Sequence, residues 1–148
     1  MPIYKDINQK LIMNMCHIGH ILRFLYEGKG SQKQILIILY ETGSITQQEL
    51  TQKLGIQPGS ASEVIRKLEN FGLIQRTPHF CDRRTTDVSL TNQGMIEAQL
   101  AFDQRKKRHQ EMFECLSTEE KDELLRITDK LINDWSSRYH ERKKRKKI

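Results

Sequence analysis

The chain has 148 residues, enough for one domain with helical extensions, with 36% apolar and 30% charged content. No apolar run approaches the ~18 residues of a membrane span, and MPIYKDINQK lacks the charged-then-apolar layout of a signal peptide, so a cytoplasmic protein with no membrane partner is expected. The formal charge is +6, and Arg142-Lys143-Lys144-Arg145-Lys146-Lys147 accounts for all of it, so bulk charge alone identifies no partner.

A first helix is expected from about residue 5 to 27, where Ile7, Leu11, Met15, Ile18, Leu22 and Leu25 recur at steps of four and three. Gly28-Lys29-Gly30 stops it. Ser31 and Gln34 form a capping box for a second helix, which holds Ile35, Leu36, Ile38, Leu39 and Tyr40 and ends at Gly43. Its apolar residues point nearly all round, which places it centrally. Thr46 and Glu49 repeat the box and open a third helix, closed by Gly55, with Leu50 and Leu54 inward. Pro58 suits the first turn of a fourth helix, where its missing N–H would lack an intrahelical partner anyway. Ala61, Ile65 and Leu68 define the inner face of that helix, with Val64 and Phe71 at its margin, and Gly72 ends it.

Two strands follow, Leu73–Thr77 and Thr86–Leu90, joined by a loop that carries Asp82-Arg83-Arg84. Thr91 caps a fifth helix, roughly 92–115, whose middle (103–111) has no apolar residue and reads as a solvated connector. Ser117 and Glu120 box a sixth helix bearing Leu124, Leu125, Leu131, Ile132, Trp135 and Tyr139. The fold expected is mainly α with a small β-hairpin wing: a winged helix-turn-helix flanked by N- and C-terminal dimerisation helices. Its parts are residues 1–30 and 112–143 as the dimerisation region, 31–94 as the winged unit, 95–111 as the connecting helix and 142–148 as a basic tail. The stripes of the first and sixth helices are too long for a small winged core to cover, so a twofold homodimer is expected.

Burying Ala61, Ile65 and Leu68 turns Gly59, Ser60, Ser62, Glu63, Arg66, Lys67 and Asn70 outward. Small residues at the start of a helix permit close approach to double-stranded DNA, and the positive end of the helix dipole favours phosphate. Arg66 has the donors for guanine O6/N7, and Glu63 can accept from cytosine N4. Gln57, Ser60, Ser62 and Lys67 suit phosphates, which fix orientation without specifying sequence. An ordinary solvated helix face has the same look. The capped helix before it and the hairpin after it favour the DNA interpretation. At the wing, Arg83 and Arg84 match the negative potential of a narrow minor groove. Asp82 could hold a guanidinium in a fork-shaped pair, and a charged hairpin tip kept for solubility has the same look. From 53 to 84, Lys53, Arg66, Lys67, Arg76, Arg83 and Arg84 face only Glu63, Glu69 and Asp82, a local positive surplus.

Residues LTQKLGIQPGSASEVIRKLENFGLIQR (50–76), DRR (82–84) and VSLTNQG (88–94) together resemble the MarR family, the multiple antibiotic resistance regulators. The D-x-R wing signature falls on Asp82 and Arg84. The strand-to-helix signature falls on Val88, Leu90, Thr91 and Gly94. The resemblance implies a triangular homodimer that represses by blocking promoters, and the twofold arrangement of its recognition helices predicts a pseudo-palindromic operator. It also implies release by a small phenolic effector, an oxidant or a metal. Two departures stand out: a short GKGSQ link between the first two helices, and His79-Phe80-Cys81 where a proline- and acid-rich wing is expected.

No enzyme is expected. Gly28-Lys29-Gly30-Ser31 fails as a P-loop, and no nucleophile elbow, zinc-protease or dinucleotide motif is present. No cofactor or metal is predicted. Cys16 and His20, one turn apart, and Cys81 in the wing are possible sensor positions, Cys16 reading equally as a small buried hydrophobe. Cys115, at a helix end, reads as packing. A winged-helix protein-interaction module and a nonspecific DNA binder driven by the tail are the competing functions.

Overall fold

A computed structural model of the chain describes residues 6–26 and 32–139. The predicted stop at residues 28–30, the box at Ser31, most of the GKGSQ link and the tail from residue 142 lie outside them. The chain divides into two compact units between Asp103 and Gln104. The first holds α1 (Ile7–Leu25), α2 (Gln32–Thr42), β1 (Ile45–Thr46), α3 (Gln47–Leu54), α4 (Pro58–Asn70), β2 (Ile74–Pro78), β3 (Thr86–Leu90) and the first half of α5 (Asn92–Met112). The second holds the rest of α5 and α6 (Thr118–Tyr139).

One core unites α2, α3, α4, the sheet and α5. Ile35, Leu36, Leu39, Leu50, Leu54, Ala61, Ile65, Leu68, Ile74, Val88 and Ala98 form it. Each large aliphatic side chain that leaves water here contributes about 1.5–3 kcal/mol. The central place expected for α2 is seen, and Ile37 is buried too. Phe71, expected at the core margin, is 66% exposed. The chain turns away one residue later, at Gly72, whose φ of 74° favours glycine.

The capping boxes close as the sequence predicts. Thr46 Oγ1 accepts from the Glu49 amide at 3.1 Å, and the Glu49 carboxylate accepts from the Thr46 amide at 3.0 Å. Ser117 and Glu120 make the same reciprocal pair before α6. Gly55 ends α3 with φ 64°. The last turn of α5 is shorter than expected: beyond Met112 the amides of Phe113, Glu114 and Leu116 bond three residues back, tightening the chain into turns.

The sheet has three antiparallel strands in the order β1-β3-β2. The strand pattern located β3 correctly and β2 within one residue. It missed β1, where Ile45 pairs with Val88 and Thr46 with Asp87. Behind the sheet, Thr91 does more than cap α5. Its hydroxyl donates to the Gly72 carbonyl at 2.6 Å and accepts from the Gly94 amide at 3.0 Å. Its own amide bonds the Leu73 carbonyl at 3.1 Å. Gly94 lies so close to that carbonyl that a Cβ there would overlap it. The LT-x-x-G pattern is therefore a packing device that locks the start of α5 onto the turn after α4.

α1 and α6 bury none of their own residues. Ile7 is 68% exposed, and Leu11, Ile12, Met13, Ile18 and Phe24 stand open with it. On α6, Leu125 and Ile132 are exposed while Leu131 and Trp135 are half-buried.

Candidate nucleic-acid interface

α3, the Gly55 turn and α4 form a helix-turn-helix. One hydrogen bond the sequence pattern did not reveal helps set its angle, from Gln47 Nε2 on α3 to Ser62 Oγ on α4, at 3.1 Å. The Ser62 hydroxyl keeps its own proton to donate outward. Ala61, Ile65 and Leu68 are fully buried, as expected, and Gln57, Gly59, Ser60, Ser62, Glu63, Arg66 and Lys67 are all exposed. Pro58 is in the first turn, and Gln57 precedes it without a side-chain cap, so the first amides of α4 receive no side-chain oxygen from that position. An added Cβ at Gly59 would meet nothing within 4 Å. The fold itself does not require glycine there.

Along this face Lys67 pairs with Glu63 at 3.4 Å, one helical turn apart. Arg76 on β2 reaches back to α4 and grips Glu69 with a fork of two 2.9 Å bonds, Nε and one terminal nitrogen each on a carboxylate oxygen. The Arg76 side-chain hydrogen bonds hold the Glu69 carboxyl below the ordinary carboxylate range, against the opposing effect of partial burial, and the Arg76 guanidinium is raised in turn. Of the six cations counted from 53 to 84, Lys53, Arg66, Arg83 and Arg84 remain without an acidic partner among the described residues.

The Glu69–Arg76 pair is about two-thirds buried at both side chains, so solvent still screens it. Glu69→Gln is expected to cost under about 1 kcal/mol at pH 7. A carboxyl with a depressed folded-state value stabilises above its unfolded value, about 4.3, and that contribution is lost as pH falls through the lower folded value. The gap between wild type and variant should therefore close in denaturant titrations at acid pH below about 4. A gap that stays constant down to pH 2 would refute this account of the pair.

The wing differs from expectation in one respect. Asp82 does not form the fork with a guanidinium. Its Oδ1 accepts from the Arg84 backbone amide at 2.9 Å, and its carbonyl accepts from the Thr85 amide at 2.9 Å. Those bonds make a tight turn, a local geometry that a short Asp side chain favours over reaching an arginine head. Arg83 and Arg84 are thereby displayed outward at the tip, both exposed. At the base of the loop, His79 Nδ1 donates to both Asp87 oxygens, at 2.9 and 3.0 Å.

The three cysteines, Cys16, Cys81 and Cys115, are all exposed free thiols. The alternative of a buried Cys16 and the packing role of Cys115 are therefore both corrected for the single chain: α1 buries nothing, and Cys115 falls in the turns beyond α5. His20 is exposed near Cys16. No group of three or more His, Cys, Asp or Glu able to hold a metal occurs among the described residues.

A capped helix, a glycine turn, a second helix with an open polar face and a hairpin tipped with arginines define a winged helix-turn-helix regulator. A sequence profile of the MarR family matches residues 31–86. The uncharacterized HTH-type transcriptional regulator YwhA of Bacillus subtilis (strain 168) is 33% identical over 97 residues, which are 66% of this chain and 70% of that protein. The HTH-type transcriptional repressor MdtR of the same organism is 31% identical over 101 residues, 68% of this chain and 65% of MdtR. In fold the chain is similar to a mutant MarR from E. coli complexed with operator DNA, with a TM-score of 0.66, 20% identity, and coverage of 86% of this chain and 99% of that one. The chain belongs to the MarR family, and it is a DNA-binding transcriptional regulator rather than an enzyme.

Proposed function

We infer that the protein is a sequence-specific repressor that binds a pseudo-palindromic operator as a homodimer. The observation that carries this is the joint display, on one unit, of the open α4 face around Arg66 and the turn that presents Arg83 and Arg84. α4 enters the major groove with Arg66 on guanine and Glu63 near cytosine. Gln57, Gly59, Ser60, Ser62 and Lys67 lie along phosphates, and Asp82 shapes the turn that sends Arg83 and Arg84 to the minor groove. Similarity to a named repressor supports the sign of regulation. The uncovered apolar faces of α1 and α6 support residues 1–30 and 112–143 as the dimerisation region, with 95–111 as connector. Release by a small-molecule, oxidant or metal signal completes the proposal. The thiol of Cys81, exposed in the wing and outside the proposed dimer region, is accessible to an oxidant.

Selection of bound duplexes from a random pool at near-physiological salt tests the function. The expected result is an enriched inverted repeat with half-sites about 34 Å apart, bound ~10³-fold or more above random DNA. An unenriched pool together with a monomeric mass in solution would sink it. Arg66→Ala should relax base preference at one position per half-site, at a cost of about 1–3 kcal/mol on the preferred base. Equal weakening on every sequence would reduce Arg66 to a phosphate contact.

A further inference from the structure

We propose that Phe80 is a minor-groove contact, an aromatic ring that packs against sugar walls and base edges beside Arg83 and Arg84. The inference rests on the DNA-binding function proposed above and deepens it by one residue and one kind of contact. Phe80 is 90% exposed, more than any other large apolar side chain described. A phenyl ring offers 150–250 Å² of surface for burial, and here nearly all of it stands in water.

The ring is not adrift. It lies against the His79 imidazole, with centroids 4.7 Å apart and planes inclined by 43°. His79 is fixed from two sides, by the Asp87 carboxylate at its Nδ1 and by the Thr85 carbonyl at its amide, 2.8 Å away. Asp87 belongs to β3, where it pairs with Thr46 on one side and Thr77 on the other. A short polar scaffold thus ties an exposed phenyl ring to the middle strand of the sheet.

The surroundings select the partner. Arg83 and Arg84, a few residues along the same loop, carry no acidic partner among the described residues. A loop that carries both an open phenyl ring and two arginines without acidic partners fits a narrow minor groove. There phosphates flank apolar sugar walls, arginine is drawn in by the potential, and phenylalanine is among the side chains that such proteins insert. His79 is a positioning residue in this arrangement, acting through the ring that it supports.

The test compares the full chain with Phe80→Ala, Arg84→Ala and His79→Ala on the duplex that the wild type enriches from a random pool, across a salt series. An apolar contact releases no counterions. Phe80→Ala should therefore weaken binding about tenfold with the slope of log affinity against log salt unchanged, whereas Arg84→Ala should lower that slope by about one. His79→Ala should weaken binding less, and should add nothing once Phe80 is already alanine. If the wild type binds specifically and Phe80→Ala binds equally well, the ring is not a contact, although the DNA-binding function stands. If Phe80→Ala lowers the slope as Arg84→Ala does, the ring only props the arginines, and the proposal is overturned. A wild type that enriches no duplex removes both readings together, and an exposed ring that then proves to hold a second copy in solution would give it a different partner.

Discussion

Arg84→Ala is expected to weaken operator binding about 10- to 100-fold at near-physiological salt and to reduce the salt slope by about one. Its backbone amide is fixed by the Asp82 carboxylate at 2.9 Å, while its own head is free of acidic partners among the described residues. The turn orders the main chain and leaves the guanidinium available. Little conformational freedom of the backbone remains to be lost on binding, so most of the contact energy survives as affinity. The substitution removes one cation and no core contact, so thermal stability should stay within about 0.5 kcal/mol of wild type. Filter binding or fluorescence anisotropy across a salt series reads the first effect, and a melting curve reads the second. Unchanged affinity would take the wing arginine out of the interface.

Gly94→Ala should have the largest effect on the fold itself. The added methyl would overlap the Leu73 backbone carbonyl, and that carbonyl also accepts the Thr91 amide. Backbone cannot swing aside as a side chain can, so the start of α5 must lift from the turn after α4. That strains the Thr91 bonds to Gly72 and Gly94 and opens the packing around Ala98. A cost of about 3 kcal/mol is expected, at the upper end for an overpacked site. Denaturant melts of the full chain measure it. Gly59→Ala is the natural control, since the space around that residue is open. A Gly94→Ala protein as stable as the Gly59→Ala protein would show that the close approach to Leu73 is not a constraint.

Much of the winged unit was legible because short-range rules govern it. The boxes at Thr46/Glu49 and Ser117/Glu120 are local, and both close in the structure. Glycine at 55 and 72 marks a backbone that bends left, and the apolar spacing of Ala61, Ile65 and Leu68 fixes which side of α4 is buried. Most of the missed features depend on partners distant in the chain. β1 has two residues, too few for any alternation to show, and exists because β3 lies beside it. Arg76 and Glu69 are seven residues apart on different elements, so no helical spacing links them. His79 and Asp87 meet only once the hairpin has closed. For Asp82 the sequence shows a nearby arginine head more plainly than the Arg84 amide that its carboxylate in fact accepts from. The stripes on α1 and α6 were legible as apolar faces, and covering them requires a neighbour that one chain's pattern does not contain.

The clasp between Glu69 and Arg76 ties the last turn of α4 to the first strand of the hairpin. Any swing of the whole hairpin must therefore break this pair or drag the helix with it. Beyond the paired strands, residues 79–85 are held by bonds of their own, from the His79 amide to the Thr85 carbonyl and from the Thr85 amide to the Asp82 carbonyl. The knuckle and the fingertip are thus both braced, so a ligand of uneven width must itself adjust to reach them.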